Sequence, residues 1–570
     1  MSPPSAKSME EGRTPSVQYG YGDPKTLEGE IEEHTATKRG LSSRQLQLLA
    51  IGGCIGTGLF VGTSTVLTQT GPAPLLMSYI VMASIVWFVM NVLGEMTTYL
   101  PIRGVSVPYL IGRFTEPSIG FASGYNYWYS FAMLLACEVS TMALLSFLSC
   151  WNPDNVGHCL GLIIEYWNPP VSVGLWIAIV LVESEFWFAG LKILAIIGLI
   201  ILGVVLFFGG GPNHERLGFR YWQDPGAFNP YLVPGDTGKF LGFWTALIKS
   251  GFSFIFSPEL ITTAAGEVEA PRRNIPKATK RFIYRVFTFY ILGSLVIGVT
   301  VAYNDPTLEA GVESGGSGAG ASPFVVAIKT LVLEGSTMSS MLPSGSLPGH
   351  PVTHGCYAGS EKLYSLAGEG QAPKIFTRTN RTGVPYVAVL ATWTIGLLSF
   401  LNLSSSGQTV FYWFTNITTV GGFINWVLIG IAYLVCFPPS LHLNTPDQKQ
   451  RFRKALQFHG MLDMLPFKTP LQPYGTYYVM FIISILTLTN GYAVFFPGRF
   501  TASDFLVSYI VFAIFLALYA GHKIWYRTPW LTKVSEVDIF TGKDEIDRLC
   551  ENDMERQPRN WLERVWWWIF

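Results

Sequence analysis

The chain has 570 residues, of which 49% are hydrophobic and 14% aromatic but only 13% charged. This composition excludes a typical soluble enzyme and is typical of a membrane protein that crosses the bilayer several times. Lysine plus arginine and aspartate plus glutamate each number 38, so the chain lacks the basic excess of a nucleic-acid-binding protein.

The first 43 residues are polar and lack the apolar core and cleavage site of a secretory signal. We interpret 1–43 as a disordered cytoplasmic tail, 44–527 as the transmembrane domain and 528–570 as a cytoplasmic tail. The aromatic end of the last tail, 561–570, is too short to span a bilayer and is interpreted as an interfacial anchor.

Long apolar runs predict ten membrane-spanning helices. In chain order they are 46–68, 75–100, 125–148, 185–208, 240–264, 282–303, 386–403, 410–437, 474–496 and 505–525. Two further segments, 171–182 and 322–333, are shorter and ambiguous. Counting both gives twelve crossings.

The distribution of basic residues supports twelve crossings with both termini in the cytoplasm, because lysine and arginine concentrate in cytoplasmic loops. Loops predicted to be cytoplasmic hold Arg103, Arg113, Arg272, Arg273, Lys277, Lys280, Arg281, Arg285, Lys374, Arg378, Arg381, Lys449, Arg451, Arg453, Lys454 and Lys468. Loops predicted to be external hold only Arg216, Arg220, Lys239, Lys329 and Arg499.

The first predicted span contains five glycines within 51–62. Glycine weakens a helix, so we expect a break there whose polar groups face protein or a cavity. A broken helix would direct N–H groups at Gly56, Thr57 and Gly58 toward a carboxylate, and carbonyl groups at Cys54 and Ile55 toward a cation. The glycine run by itself is equally well explained by a second interpretation, in which the glycines only permit close packing between helices.

The span 240–264 contains a second interruption, where Pro258 and Glu259 follow Ser257 in an apolar run. Proline removes a backbone donor, and a carboxylate at membrane depth is a functional candidate by default. Two interrupted spans point to a binding site near the bilayer midplane. The alternatives are a simple kink at Pro258 and a structural hydrogen bond at Glu259.

Lys192 lies in the apolar span 185–208 and is the best candidate there for a group that binds and releases a proton. Burial lowers the proton affinity of a lysine, so it can release and regain a proton as its surroundings change. Glu185 lies two turns earlier on the same face and is a possible partner. The alternative is that Lys192 extends to the membrane interface. Glu95, Glu138 and Glu259 are secondary candidates.

Several motifs in order resemble the fungal amino acid permeases of the amino acid/polyamine/organocation superfamily. They are RGL at 39–41, AIGGCIGTGLF at 50–60, LGEM at 93–96, EFWFA at 185–189, PRRNIPKA at 271–278 and FINW at 423–426. The resemblance covers about 38–527. It implies an all-α polytopic protein with a leucine-transporter-like fold, nominally twelve transmembrane helices with two inverted repeats of five.

The resemblance also implies proton-coupled uptake of amino acids at the plasma membrane. The substrate carboxylate would meet 55–58, and its ammonium would meet backbone carbonyls near Cys54 and Phe256. Phe252, Phe254 and Phe256 become candidates for an outer gate, with Ser257 and Glu259 beside them. Lys192 is similar to a lysine that replaces a sodium ion in related transporters. Lysines of the N-terminal tail are possible ubiquitin acceptors for ligase adaptors.

Helices three, four and eight depart from the family pattern at 146–161, 182–185 and 334–359. We interpret these segments as an insertion, a lost segment and a local frame change in the gene or its annotation. Two alternatives to a transporter follow: an amino acid sensor of the same fold, or a nonfunctional permease. An enzyme is not expected, because no span combines a nucleophile with a base, a phosphate loop or metal-ligand spacing, and no cofactor is implied.

Overall fold

The computed structural model describes residues 56, 58–100, 106–150, 182–211, 214–263, 265, 268, 270–313, 322–331, 349–380, 384–403, 407–434, 451–458, 465–530, 537, 543, 547 and 560–561. Within these residues the chain is predominantly helical.

We number the α-helices of the described residues in chain order. They are α1 (Thr63–Thr70), α2 (Pro72–Tyr99), α3 (Val107–Phe114), α4 (Pro117–Cys150), α5 (Val182–Phe207), α6 (Gly235–Phe254), α7 (Ser257–Thr263), α8 (Pro271–Val286), α9 (Leu292–Thr300), α10 (Pro306–Glu313), α11 (Pro323–Leu331), α12 (Gly349–Gly368), α13 (Tyr386–Gly396), α14 (Gly407–Leu434), α15 (Arg451–Phe458), α16 (Tyr474–Leu488) and α17 (Ala502–Tyr526). A wide turn, Gly58–Gly62, leads into α1, and another, Phe287–Ile291, joins α8 to α9.

Among the described residues, five helical segments are long and apolar enough to cross a membrane. They are Pro72–Tyr99, Gly235–Thr262, Pro271–Thr300, Thr409–Leu434 and Ala502–Tyr526, the second of which contains a break. All five overlap predicted spans. The match arises because each sequence run is both long and apolar, which leaves a helix as the way to satisfy its backbone in lipid.

The ambiguous spans have different outcomes. Residues 171–182 lie almost wholly outside the described residues. For 322–333 the structure shows α11 at Pro323–Leu331, and the residues that follow it lie outside the described residues. Helix α4 continues through Cys150, five residues into the segment we interpret as an insertion, and the rest of that segment lies outside the described residues.

The interior is formed around α2, α4, α6 and α14. Helix α4 packs against α12 and α14, and α2 packs against α6 and α8. Trp426 of α14 and Tyr79 of α2 are among the largest fully buried side chains. Helix α17 instead exposes apolar side chains such as Leu516, as expected for a helix that faces lipid.

Loops are tied to the helices at both ends of α2. On one side, Asn229 Nδ2 donates to the Thr68 carbonyl at 2.8 Å, and Trp222 Nε1 donates to the Gly298 carbonyl at 3.0 Å. On the other side, Arg453 pairs with Glu95 at 2.5 Å. The first two contacts join segments that the charge distribution predicts to lie toward the external side, and the third joins segments predicted to lie toward the cytoplasmic side.

Candidate amino acid site

The helix of the span 240–264 is broken two residues before its proline. Helix α6 ends at Phe254, Ile255 is extended, and Phe256 has a left-handed φ of 64° before α7 begins at Ser257. A left-handed residue that is not glycine costs about 1–2 kcal/mol, so the surrounding packing must hold it. Pro258 lies in the first turn of α7, where its missing N–H would have had no helical partner.

The described start of the first helix lies beside this break. The N–H groups of Leu59 and Phe60 both donate to the Gly56 carbonyl, at 3.1 and 3.3 Å. A Cβ added to Gly58 would lie 2.6 Å from Ser253 Cα, so only glycine permits this approach of the two backbones. The close-packing interpretation is therefore supported at Gly58. Cys54, Ile55 and Thr57 lie outside the described residues.

The three phenylalanines of the proposed gate point in different directions. The ring centroid of Phe252 lies 6.2 Å from that of Phe411 in α14. Phe254 is 4.5 Å from Tyr290, and Phe256 is 4.2 Å from Phe131 in α4. The structure thus separates the rings around the break and packs Phe254 away from the other two.

Ser257 and Glu259 connect α7 to its neighbours. The Ser257 hydroxyl donates to the Phe254 carbonyl across the break. Glu259 is completely buried, and its Oε1 accepts hydrogen bonds from Tyr127 Oη at 3.2 Å and Trp426 Nε1 at 2.7 Å. Its Oε2 has no hydrogen-bond partner among the described residues. One carboxylate oxygen therefore has a structural role, and the other is open to a further partner.

The proposed proton-coupling pair lies on α5. Both Glu185 and Lys192 are within that helix, but their side chains lie outside what the structure describes. Among the secondary candidates, Glu138 of α4 is buried, with 5% of its surface exposed. Glu95 belongs to a different place, the buried ion pair with Arg453.

Two lysines of this region were not singled out from the sequence. Lys249 of α6 is half-buried, and its Nζ donates to Gln69 Oε1 at 2.6 Å. Lys362 of α12 is completely buried and interacts electrostatically with Glu259. The signal for Lys249 was its position inside an apolar span. Lys362 gives no such signal, because the sequence predicts no membrane span between 333 and 386.

Comparison with known proteins identifies relatives along the whole chain. A proline-specific permease of Emericella nidulans is 86% identical over 591 aligned positions, covering 100% of both chains. A probable proline-specific permease of Schizosaccharomyces pombe is 46% identical and covers 91% of this chain and 90% of its own. Among solved structures, an Eremococcus coleocola manganese transporter is similar at a TM-score of 0.45 and 11% identity, covering 91% of this chain and 99% of that chain.

The amino acid permease family matches residues 45–534. This match and the relatives confirm the predicted resemblance and, with the described helices, the all-α polytopic fold class. They also confirm that the protein is an amino acid transporter in a membrane rather than an enzyme. The chain belongs to the amino acid permease family.

Proposed function

We propose that the protein imports proline across the plasma membrane together with protons. The observation that carries this proposal is the break of the span 240–264 at Phe256, beside which Gly58 of the predicted carboxylate-binding end packs against Ser253. The names of the two fungal relatives support proline as the substrate. Both termini are proposed to be cytoplasmic.

Two helix ends of opposite polarity suit a zwitterion. The N-terminal end of a helix carries partial positive charge and favours a carboxylate, here at Gly56, Thr57 and Gly58. The C-terminal end of α6 carries partial negative charge and favours an ammonium near Phe256. Proline adds an apolar ring, for which Phe252 and Phe256 provide aromatic surface next to the break.

Proton coupling is proposed to use Lys192, with Glu185 as its partner. A lysine that loses water contact in one state and regains it in the other changes its proton affinity between the states. Glu259 is a second proton acceptor in the proposal, because its Oε2 has no hydrogen-bond partner among the described residues.

A nonfunctional permease is the second candidate. The alignment with the E. nidulans relative has 591 positions, more than the 570 residues of this chain, so this chain has gaps in it. Such gaps are what a lost segment in this chain would produce, and we place the proposed loss near 182–185 from the sequence pattern. Sequencing the transcript tests that interpretation, because reads that encode all 570 residues would contradict an annotation error.

Uptake of radiolabelled proline by yeast cells that lack their own permeases tests the transport proposal. We expect saturable uptake that rises as the external pH falls. Proline binding without uptake would instead support the amino acid sensor, and failure to produce a stable protein would support the nonfunctional permease. Competition by a panel of unlabelled amino acids would define the substrate range.

A further inference from the structure

Ser253 is held by two buried tyrosines from different helices. Its hydroxyl Oγ is 2.9 Å from Tyr79 Oη of α2, and its carbonyl accepts a hydrogen bond of 2.8 Å from Tyr290 Oη. Only 1% of the surface of each tyrosine is exposed. Ser253 is therefore fixed through both its side chain and its backbone.

The bond from Tyr290 satisfies a carbonyl that the break leaves without a helical partner. In an unbroken helix the Ser253 carbonyl would accept from the N–H of Ser257, but α6 ends at Phe254. An unpaired carbonyl at membrane depth is costly, since no water is available. Tyr290 supplies the missing donor from the turn between α8 and α9.

The rings of the two tyrosines are themselves packed in place. The centroids of Tyr79 and Tyr290 are 5.9 Å apart and stacked, and Phe254 lies 5.4 Å from Tyr79 and 4.5 Å from Tyr290. This explains why Phe254 faces away from Phe252 and Phe256: its ring completes the packing that orients both hydroxyl groups. The packing is formed by protein alone, so it orders this end of α6 before any substrate binds.

Ser253 is also where α6 meets the first helix. Atoms of Ser253 occupy the space that a side chain at Gly58 would need, with Ser253 Oγ 2.8 Å from the position of that Cβ. A displacement of Ser253 would therefore change the spacing between the two half-helix ends. That spacing decides whether one zwitterion reaches both ends at once.

We propose that Tyr79 and Tyr290 are positioning residues of the amino acid site, which set the spacing of its carboxylate-binding and ammonium-binding ends by holding Ser253. This proposal rests on the proposed function of the site. Because the tyrosines act on the ends that recognise groups common to all amino acids, their loss weakens binding of every substrate by a similar factor. Discrimination between substrates stays unchanged.

The test compares Tyr290→Phe with the unmodified chain in the yeast uptake assay. The substitution keeps the ring and removes the hydroxyl. We expect the KM for proline to rise about three- to tenfold, as for one lost buried hydrogen bond, with the same factor in the inhibition constant of a competing amino acid. Maximal uptake per molecule at the cell surface is expected to change less than KM. Tyr284→Phe, an exposed tyrosine of the adjoining helix α8, is the matched control.

A KM within about twofold of the unmodified chain, with uptake reduced only through a lower surface level, would overturn the proposal and leave Tyr290 a structural role. Should Tyr290→Phe fail to reach the surface, Tyr79→Phe provides the same comparison through the Ser253 hydroxyl. Uptake by the unmodified chain tests the proposed function. The ratio of the KM of the variant to that of the unmodified chain tests whether the tyrosine positions Ser253. Failure of one is therefore distinguishable from failure of the other.

Discussion

Glu95 is the most heavily bonded charge among the described residues. Its carboxylate accepts from Arg453 at 2.5 and 3.1 Å, from the backbone N–H and hydroxyl of Thr469 at 2.6 and 2.5 Å, and from Tyr433 Oη at 2.7 Å. The glutamate is completely buried. These bonds tie α2 to α14, to α15 and to the segment before α16.

We predict that Glu95→Gln destabilises the protein by about 3 kcal/mol or more, because it leaves the buried guanidinium of Arg453 without its counter-charge. The measurement is the apparent unfolding temperature of the purified protein in detergent. Glu215→Gln is the control, since the Glu215–Arg220 pair is mostly exposed, with side-chain exposures of 73% and 62%. Its loss is expected to cost less than about 1 kcal/mol. Equal stability of the two variants would contradict the structural role of Glu95.

The substitution Lys192→Ala tests whether this lysine carries the proton that is coupled to transport. If Lys192 carries the proton, its loss should make proline uptake independent of external pH, because alanine has no titratable group. The measurement is initial uptake at a series of external pH values, with Lys239→Ala as control, since the Lys239 side chain is half-exposed and its ion pair is with Asp236 in the first turn of the same helix, α6. An unchanged pH profile for Lys192→Ala would remove this lysine from the mechanism.

At the scale of helices, Gly58 determines how closely the first helix approaches α6. We predict that Gly58→Ala reduces uptake strongly and destabilises the protein by about 1–3 kcal/mol, because the added Cβ would lie 2.6 Å from Ser253 Cα, an atom of the backbone. The matched control is Gly198→Ala on α5, where an added Cβ meets nothing within 4 Å. Normal uptake and stability in both variants would show that the two helices can separate freely.

The sequence predicted the long helices well and the break poorly. Spans such as 75–100 and 505–525 became Pro72–Tyr99 and Ala502–Tyr526, because a long apolar run has few alternatives in a bilayer. Pro258 suggested the position of the second break, but the chain turns at Phe256, a residue type that rarely adopts left-handed φ. Its conformation depends on partners such as Phe131, which lies far away in the sequence.

The ion pair of Glu95 also depends on a residue that is distant in the sequence. Arg453 is 358 residues further along the chain, and α15 carries it to the end of α2. The position of Glu95 in an apolar span predicts a possible proton carrier and gives no sign of the ion pair. Tyr79 and Tyr290 were not candidates at all, because an aromatic residue in an apolar helix gives no sign that its hydroxyl group meets a broken helix end.

At the scale of the whole molecule, a loop predicted to be cytoplasmic is linked to the C-terminal tail. Arg272 at the start of α8 pairs with Asp547 at 2.5 Å. Burial raises the pKa of Asp547, but the hydrogen bond from Lys543 and the positive charge of Arg272 outweigh it and place the pKa below its usual value. A lowered pKa means that this pair contributes stability above the unfolded pKa of about 4 and loses it only in stronger acid. The contact is thus maintained at neutral pH.

The side of the membrane that each loop faces is a prediction that can be tested directly. Basic residues predict that the loop with Glu215 is external and the loop with Lys374 cytoplasmic. Both positions are exposed, so a cysteine at either would be accessible to a thiol reagent on its own side of the membrane. We predict that a membrane-impermeant maleimide labels Glu215→Cys on intact cells but labels Lys374→Cys only after permeabilisation, each measured against the unmodified chain. The reverse pattern would mean that the protein lies in the membrane with the opposite orientation to the predicted one. It would then contradict uptake as the direction of transport, because the charge distribution is the observation that assigns an outside to the molecule.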